Sequence, residues 1–232
     1  MPDRLASQPP CPDEAASEPT TPPRQRRKAE RPQQLLEAAY TLFTTRGLAA
    51  TRTEDVAQLA GVSKGTLFRY YPSKDELFKA VIRHYLVEVI DASRDLSDQW
   101  QGSTDDLLKL LAHTWWQRFG QSHAAGIFKL IVAEVGNMPE LAQFYVDEVI
   151  TPTYQLVSRA VQRGIDRQEF RPVEVTAVVQ ALMATAQFLV LYPQCTATCQ
   201  HNPMPLEPER FMNTQIDLLL SGLRQPGAAR EG

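Results

Sequence analysis

Residues 52–71 read RTEDVAQLAGVSKGTLFRYY, Arg52 to Tyr71, and their reading decides the fold. Thr53 stands where a helix N-cap belongs, ahead of Glu54 and Asp55, whose carboxylates suit the positive end of a helix dipole. The short helix that follows ends at Gly61. Gly61-Val62-Ser63 is a tight turn: glycine takes the left-handed backbone that closes one helix, and Ser63 caps the next, Lys64 to Tyr70. Val56, Ala57, Leu59, Ala60, Val62 and Leu67 are expected to form a small core fixing the angle between the two helices. Lys64, Gly65, Thr66, Arg69 and Tyr70 are then left facing outward. Two short helices held by a glycine turn make a helix-turn-helix, and a helix of that width fits the DNA major groove, where every base pair is distinguishable.

The flanks supply a brace. Upstream, Leu35, Ala38, Ala39, Leu42 and Phe43 recur at three- and four-residue spacing and predict a helix from about Arg31 to Arg46, stopped by Gly47. Downstream, Pro72 ends the third helix, and Ser73-Lys74-Asp75-Glu76 is a capping-box sequence opening a fourth that runs to about Ser93. No run of alternating β-branched residues suggests a sheet, so the chain is read as all-α: a three-helix DNA-binding head and a helical ligand-binding and dimerisation body. Body helices are expected at about 104–119, 124–135, 139–168, 172–191 and 208–223, with Pro152 kinking or dividing the third of them.

Charge locates the same head. Residues 1–23 carry one basic and four acidic groups, residues 24–88 twelve and seven, and residues 89–232 eleven and sixteen. A local excess of Lys and Arg inside a chain of net charge −3 is the electrostatic footprint of a surface that meets phosphates. Arg24, Arg26, Arg27 and Lys28 read as a flexible basic arm that attracts phosphates. The Pro-, Ser- and Thr-rich segment 1–23 reads as disordered, 24–88 as the DNA-binding domain, 89–224 as the regulatory and dimerisation domain, and 225–232 as a flexible tail. Three cysteines and no apolar leader segment fit a reducing cytoplasm.

The series Ala38-Ala39, Phe43, Gly47, Thr51-Arg52-Thr53, Val56-Ala57 and Ala60 through Leu77 resembles the tetracycline-repressor (TetR) family of bacterial regulators over residues 31–86. The resemblance implies an all-helical homodimer with a ligand-binding body, dimerising through its last two helices. Carried over position by position, it makes Lys64, Gly65 and Thr66 base-edge readers with Arg69 as a further candidate. It assigns phosphate contacts to Thr53, Tyr70 and Lys74, with Ser63 at the start of the reading helix. Phe68 and Tyr71 are expected to pack the reading helix onto the first and fourth helices.

In the body, His113, Trp116, Phe119, Phe128, Val132, Met138, Phe144 and Tyr145 are the residues expected near a pocket for a small inducer. Val173 to Leu191 is apolar on nearly every side, broken by Glu174, Gln180 and Gln187, which argues against a membrane span. Together with the helix at 208–223 it offers more apolar surface than one body covers, as a two-fold four-helix interface requires. Cys195, Cys199 and His201 give too few ligands at too unfamiliar a spacing for zinc, so no metal and no cofactor are expected. No nucleophile elbow, zinc-protease motif, P-loop or dinucleotide fingerprint occurs, so no enzyme is expected. The reading is therefore a dimeric repressor on a near-palindromic operator, released by a small hydrophobic ligand. An activator or architectural DNA-binding protein without an inducer is the alternative.

Overall fold

The computed structural model describes residues 23–121, 125–196 and 205–225. Among them are helices α1 (Pro23–Arg46), α2 (Thr53–Leu59), α3 (Lys64–Tyr70), α4 (Lys74–Ile82), α5 (Glu88–Asp98) and α6 (Thr104–Trp115). The remainder are α7 (Ala125–Glu134), α8 (Pro139–Tyr145), α9 (Thr151–Asp166), α10 (Val175–Thr196) and α11 (Pro208–Leu223). No strand occurs among the described residues; one isolated bridge pairs Phe170 with Arg224.

The head folds around α1. Leu35, Ala39, Phe43, Val56, Leu67, Leu77 and Phe78 are fully sealed from solvent, and Phe43 meets Phe78 edge-to-face at 5.4 Å, tying α1 to α4. Each of the larger side chains among them contributes roughly 1.5–3 kcal/mol on burial. Gly47 and Gly61 both adopt positive φ, +85° and +65°, and close α1 and α2 as the sequence predicts. Thr51, buried, donates to the carbonyls of Leu42 and Gly47 and so satisfies the frayed end of α1.

Several local expectations shift. α1 starts at Pro23 rather than Arg31, so residues 24–28 lie on a helix instead of a flexible arm; Pro is favourable at a first helical position, and Pro32 inside the helix removes only one amide donor. The N-cap of α2 is Arg52, in extended conformation, and Thr53 is its first helical residue. Leu59 is 56 % exposed, because Val56, Ala57 and Ala60 define the inward face and Leu59 lies about 100° away from it. Ser73 does cap α4, accepting from the Glu76 amide at 3.0 Å, while the Glu76 carboxylate accepts from Lys79 at 3.0 Å. The expected tails at 1–22 and 226–232 fall outside the described residues; Gln225 is held by its bond to the Glu169 carbonyl.

α4 and α5 form one continuous helix that crosses the expected domain boundary at residue 88, joined through a π-helical turn, Arg83–Val87. Two further π-turns extend α6 (Trp116–Gly120) and link α8 to α9 (Val146–Ile150). The last answers the expectation for Pro152: the proline, at the start of α9, has no amide to give, and Thr151 N–H reaches back to the Val146 carbonyl instead. α10 runs through Pro193 to Thr196, so the expected break at 193 is absent and Cys195 sits on the helix. Cys199 and His201 lie outside the described residues. Among those described, no cluster of His, Cys, Asp and Glu could hold a metal ion.

Two apolar cores result. One joins α1–α4 to α7, α8 and the end of α10; the other is built by α6, α9, α10 and α11 around Leu107, Val161, Phe170, Val179 and Leu189.

Candidate DNA-reading face and ligand cavity

α3 presents its polar side because Leu67 alone is sealed into the core, so residues three and four positions from one another on the opposite face stay in solvent. Ser63 fixes the start of the helix, accepting from the Thr66 amide at 3.1 Å and sharing a 2.9 Å hydroxyl contact with Thr66. Lys64, Gly65 and Arg69 are exposed, and Thr66 is half-buried. The Arg69 guanidinium lies over the Tyr70 ring at 5.4 Å, a cation–π contact that steadies both side chains. Lys64 is not idle: its ammonium is hydrogen-bonded to Glu54 of α2, and this bond holds the Glu54 carboxyl below the usual range.

The structure divides the expected packing pair. Tyr71 is half-buried against the head core, and its burial raises its phenol pKa. Phe68 is 37 % exposed, with the Lys64 ammonium 5.6 Å above its ring. One residue past Leu67 is 100° around the helix, so Phe68 leaves the core side and joins the outward one.

Lys74 is placed differently from the rest of the expected DNA face. Its Nζ donates to the carbonyls of Leu48 at 2.9 Å and of Ala49 and Thr51 at 3.3 Å, which engages all three ammonium protons within the chain. It clamps the α1–α2 loop to α4. Thr53, half-buried in the first turn of α2, has its hydroxyl 3.4 Å from the Glu54 carboxylate.

Where the two cores meet, a cavity of about 170 Å³ opens. Its walls come from α5 and its π-turn (Leu86, Val89, Ile90, Ser93), α6 and its π-turn (Leu111, Trp115, Phe119), α7 (Phe128), and α8, α9 and the π-turn between them (Tyr145, Val149, Leu156). The remainder come from α10 and α11 (Leu182, Met183, Val190, Met212, Ile216). Trp115 stands 5.4 Å from Phe119, and Phe119 meets Phe128 edge-to-face at 6.4 Å, forming an aromatic wall. All three π-turns contribute to this cavity, and π-turns concentrate at functional sites.

Of the eight expected pocket residues, Phe119, Phe128 and Tyr145 line the cavity and five do not. Trp116 is rotated 100° from the Leu111–Trp115–Phe119 stripe and packs into the second core; His113 is half-buried outside the lining. Val132 is 51 % exposed. Met138 borders a small cleft with Phe78 and Lys79. Phe144 is buried beneath two cations of the α4 helix, Lys79 at 5.7 Å and Arg83 at 4.8 Å. The missed residues, Trp115 and Leu86 above all, carry a signal in spacing: Leu111, Trp115 and Phe119 repeat every four residues.

Comparison with known proteins agrees with this architecture. The profile of bacterial regulatory proteins of the tetR family matches residues 35–81, the head, and that of the tetracyclin repressor-like C-terminal domain matches residues 101–198 of the body. The HTH-type transcriptional repressor KstR2 of Rhodococcus jostii is 28% identical over 161 residues, 68% of this chain and 78% of the relative. Among solved structures, the regulator FadR of Bacillus subtilis in complex with stearoyl-CoA superposes with a TM-score of 0.64 at 17% identity, covering 82% of this chain and 98% of that one. A regulator from Saccharomonospora viridis in complex with choline gives 0.67 at 16% identity, covering 85% and 100%. With a family profile on the head and another on the body, the chain belongs to the TetR family of bacterial regulatory proteins.

Proposed function

We propose that the chain is a dimeric transcriptional repressor that reads a near-palindromic operator through α3 and is released by a small apolar ligand in the cavity. The observation that carries this reading is the placement of Leu86: the helix that leaves the DNA-binding head ends its π-turn in the cavity wall. A ligand there presses on the same helix that positions α3, which shifts the population between two spacings of the paired heads. Lys64, Gly65 and Thr66 supply the base contacts, with Arg69 beside them; Tyr70, Thr53 and the Ser63 end of α3 meet phosphates. Lys74 acts by holding the α1–α2 loop. The stearoyl-CoA and choline complexes of the structural neighbours support a ligand-responsive body.

The dimer reading is supported by unburied apolar surface. Val175–Pro193 has a mean hydropathy of 1.7, enough in length and composition to cross a membrane, yet only 17% of its residues are buried within the chain. Ala177, Gln180, Ala184 and Phe188 form one exposed stripe along α10, and Thr214, Leu218 and Gly222 form another on α11, with Leu218 63 % exposed. Small residues flanked by large apolar ones let two helices of a second copy approach closely.

The test is selection of binding sites from random DNA by the purified protein, followed by sedimentation of Leu218→Arg. The expected sites are two-fold symmetric, with half-sites about one helical turn apart, and the variant sediments as a monomer that has lost them. An asymmetric site bound equally by a monomeric wild type contradicts the reading.

A further inference from the structure

The cavity's polar groups are few: the hydroxyls of Ser93, Thr153, Thr185 and Tyr145, the Trp115 indole N–H and the Gln187 amide. The hydroxyls of Ser93, Thr153 and Thr185 each donate one turn back along their own helices, to the carbonyls of Val89 at 2.7 Å, Val149 at 2.7 Å and Ala181 at 3.1 Å. Their protons are committed. The Tyr145 hydroxyl and the Trp115 indole N–H have no hydrogen-bond partner among the described residues. Among the described residues, no Asp, Glu, Lys, Arg or His contributes to the lining. The described lining thus offers two unspent donors, Tyr145 and Trp115, beside three hydroxyl oxygens that can only accept and the Gln187 amide, and it carries no charge.

Each part of that inventory selects. A donor left without a partner in an apolar wall costs free energy that an incoming acceptor recovers. A carboxylate would leave water with no cation to meet it, a cost far above one hydrogen bond. Burial pushes the Tyr145 phenol up to about 12, so it keeps its proton, and its role as donor, across the neutral range. The volume limits size: a dry cavity of about 150 Å³ holds a benzene-sized guest, and this one is about 170 Å³.

We propose that the cavity selects a neutral carbonyl group (ketone, ester or thioester) on an apolar body of modest size, with the carbonyl oxygen accepting from the Tyr145 hydroxyl and the body lying against Trp115, Phe119 and Phe128. This rests on the reading of the cavity as the ligand site. A thioester belongs to the class because its carbonyl is uncharged, and any charged remainder of such a molecule stays outside these walls.

The test is calorimetric titration of the full chain at pH 7.5 with acetophenone, ethylbenzene and benzoate, repeated on Tyr145→Phe and on Ala186→Trp, whose indole fills the cavity. Tyr145→Phe removes one oxygen that bonds nothing among the described residues, and an unchanged melting midpoint checks that it folds. Acetophenone is expected to bind about 3–10-fold more weakly to Tyr145→Phe, ethylbenzene within about 2-fold of wild type, and benzoate on the order of 100-fold more weakly than acetophenone. Acetophenone affinity unchanged in Tyr145→Phe overturns the carbonyl anchor, and benzoate matching acetophenone overturns the selection for neutral ligands; both leave the ligand site standing. No binding of acetophenone or ethylbenzene to wild type, or undiminished binding to Ala186→Trp, overturns the ligand site itself.

Discussion

Arg83 and Glu148 meet through two parallel bonds, Nε to Oε2 at 2.7 Å and Nη2 to Oε1 at 2.5 Å, each residue standing on a π-turn that also lines the cavity. Leu86 follows Arg83 by three positions into the cavity, and Val149 follows Glu148 by one. The pair therefore fastens the helix from the DNA head to the cavity wall, with the Phe144 ring beneath the same guanidinium. Glu148 raises the guanidinium pKa further, so the bond persists throughout the physiological range.

Arg83→Met and Glu148→Gln are accordingly expected to separate ligand binding from operator release. Both partners are partly exposed, 46% and 34%, so solvent screening limits the stability loss to about 0.5–1 kcal/mol. Operator dissociation constants measured with and without saturating acetophenone check the coupling: their ratio falls toward one in the variants. A wild-type ratio in both variants would show that force passes elsewhere.

Gly164 touches Phe170 so closely that a Cβ at 164 would lie 2.3 Å from Cδ2 of the ring. Phe170 is 1% exposed, so the ring has little room to withdraw. Gly164→Ala is expected to cost about 1–3 kcal/mol through overpacking, read as a lower urea midpoint at unchanged slope. A midpoint equal to wild type would mean that the α9–α10 corner yields freely.

The Tyr145 phenol titrates at about 12 in the folded chain and near 10.0 when exposed. Between those values the unfolded chain binds fewer protons than the folded one, so this group's effect on stability becomes unfavourable as pH rises through 10 and levels off beyond 12. Two units correspond to about 2–3 kcal/mol at most. The measurement is the difference in urea stability between wild type and Tyr145→Phe from pH 8 to 12, which cancels the contributions of Tyr40, Tyr71 and Tyr85. A flat difference rules out a buried phenol.

Local chemistry made most of the head legible. Gly61 and Ser63 mark a turn whose geometry requires them, and the periodicity of Leu35, Ala39 and Phe43 leaves one face for a core. Phe68 and Leu59 face solvent against expectation because hydrophobicity alone does not say which side of a two-turn helix is covered; a rotation of 100° decides it. Lys74 shows the same gap, since three carbonyl partners from residues 48–51 meet it only after α1 and α4 have packed. In the body, Trp115 and Trp116 are adjacent in sequence and belong to different environments, and the π-turn at Trp116–Gly120 shifts the register further. Pro152 does disrupt the ladder, as its missing amide requires, but a π-turn absorbs it, so the helix continues and Glu148 comes to face Arg83.

Lys64 and Lys74 test the central claim most directly, because one is free to leave its partner for DNA and the other is committed to the fold. The measurement is fluorescence anisotropy with the selected operator, alongside melting midpoints, for Lys64→Ala and Lys74→Ala. Lys64→Ala is predicted to bind roughly 10-fold more weakly or worse, as loss of one base-edge contact entails, with its midpoint unchanged; Lys74→Ala is predicted to lose about 1–3 kcal/mol of stability as its carbonyls lose their donor. Wild-type operator affinity in Lys64→Ala would contradict the assignment of α3 as the reader.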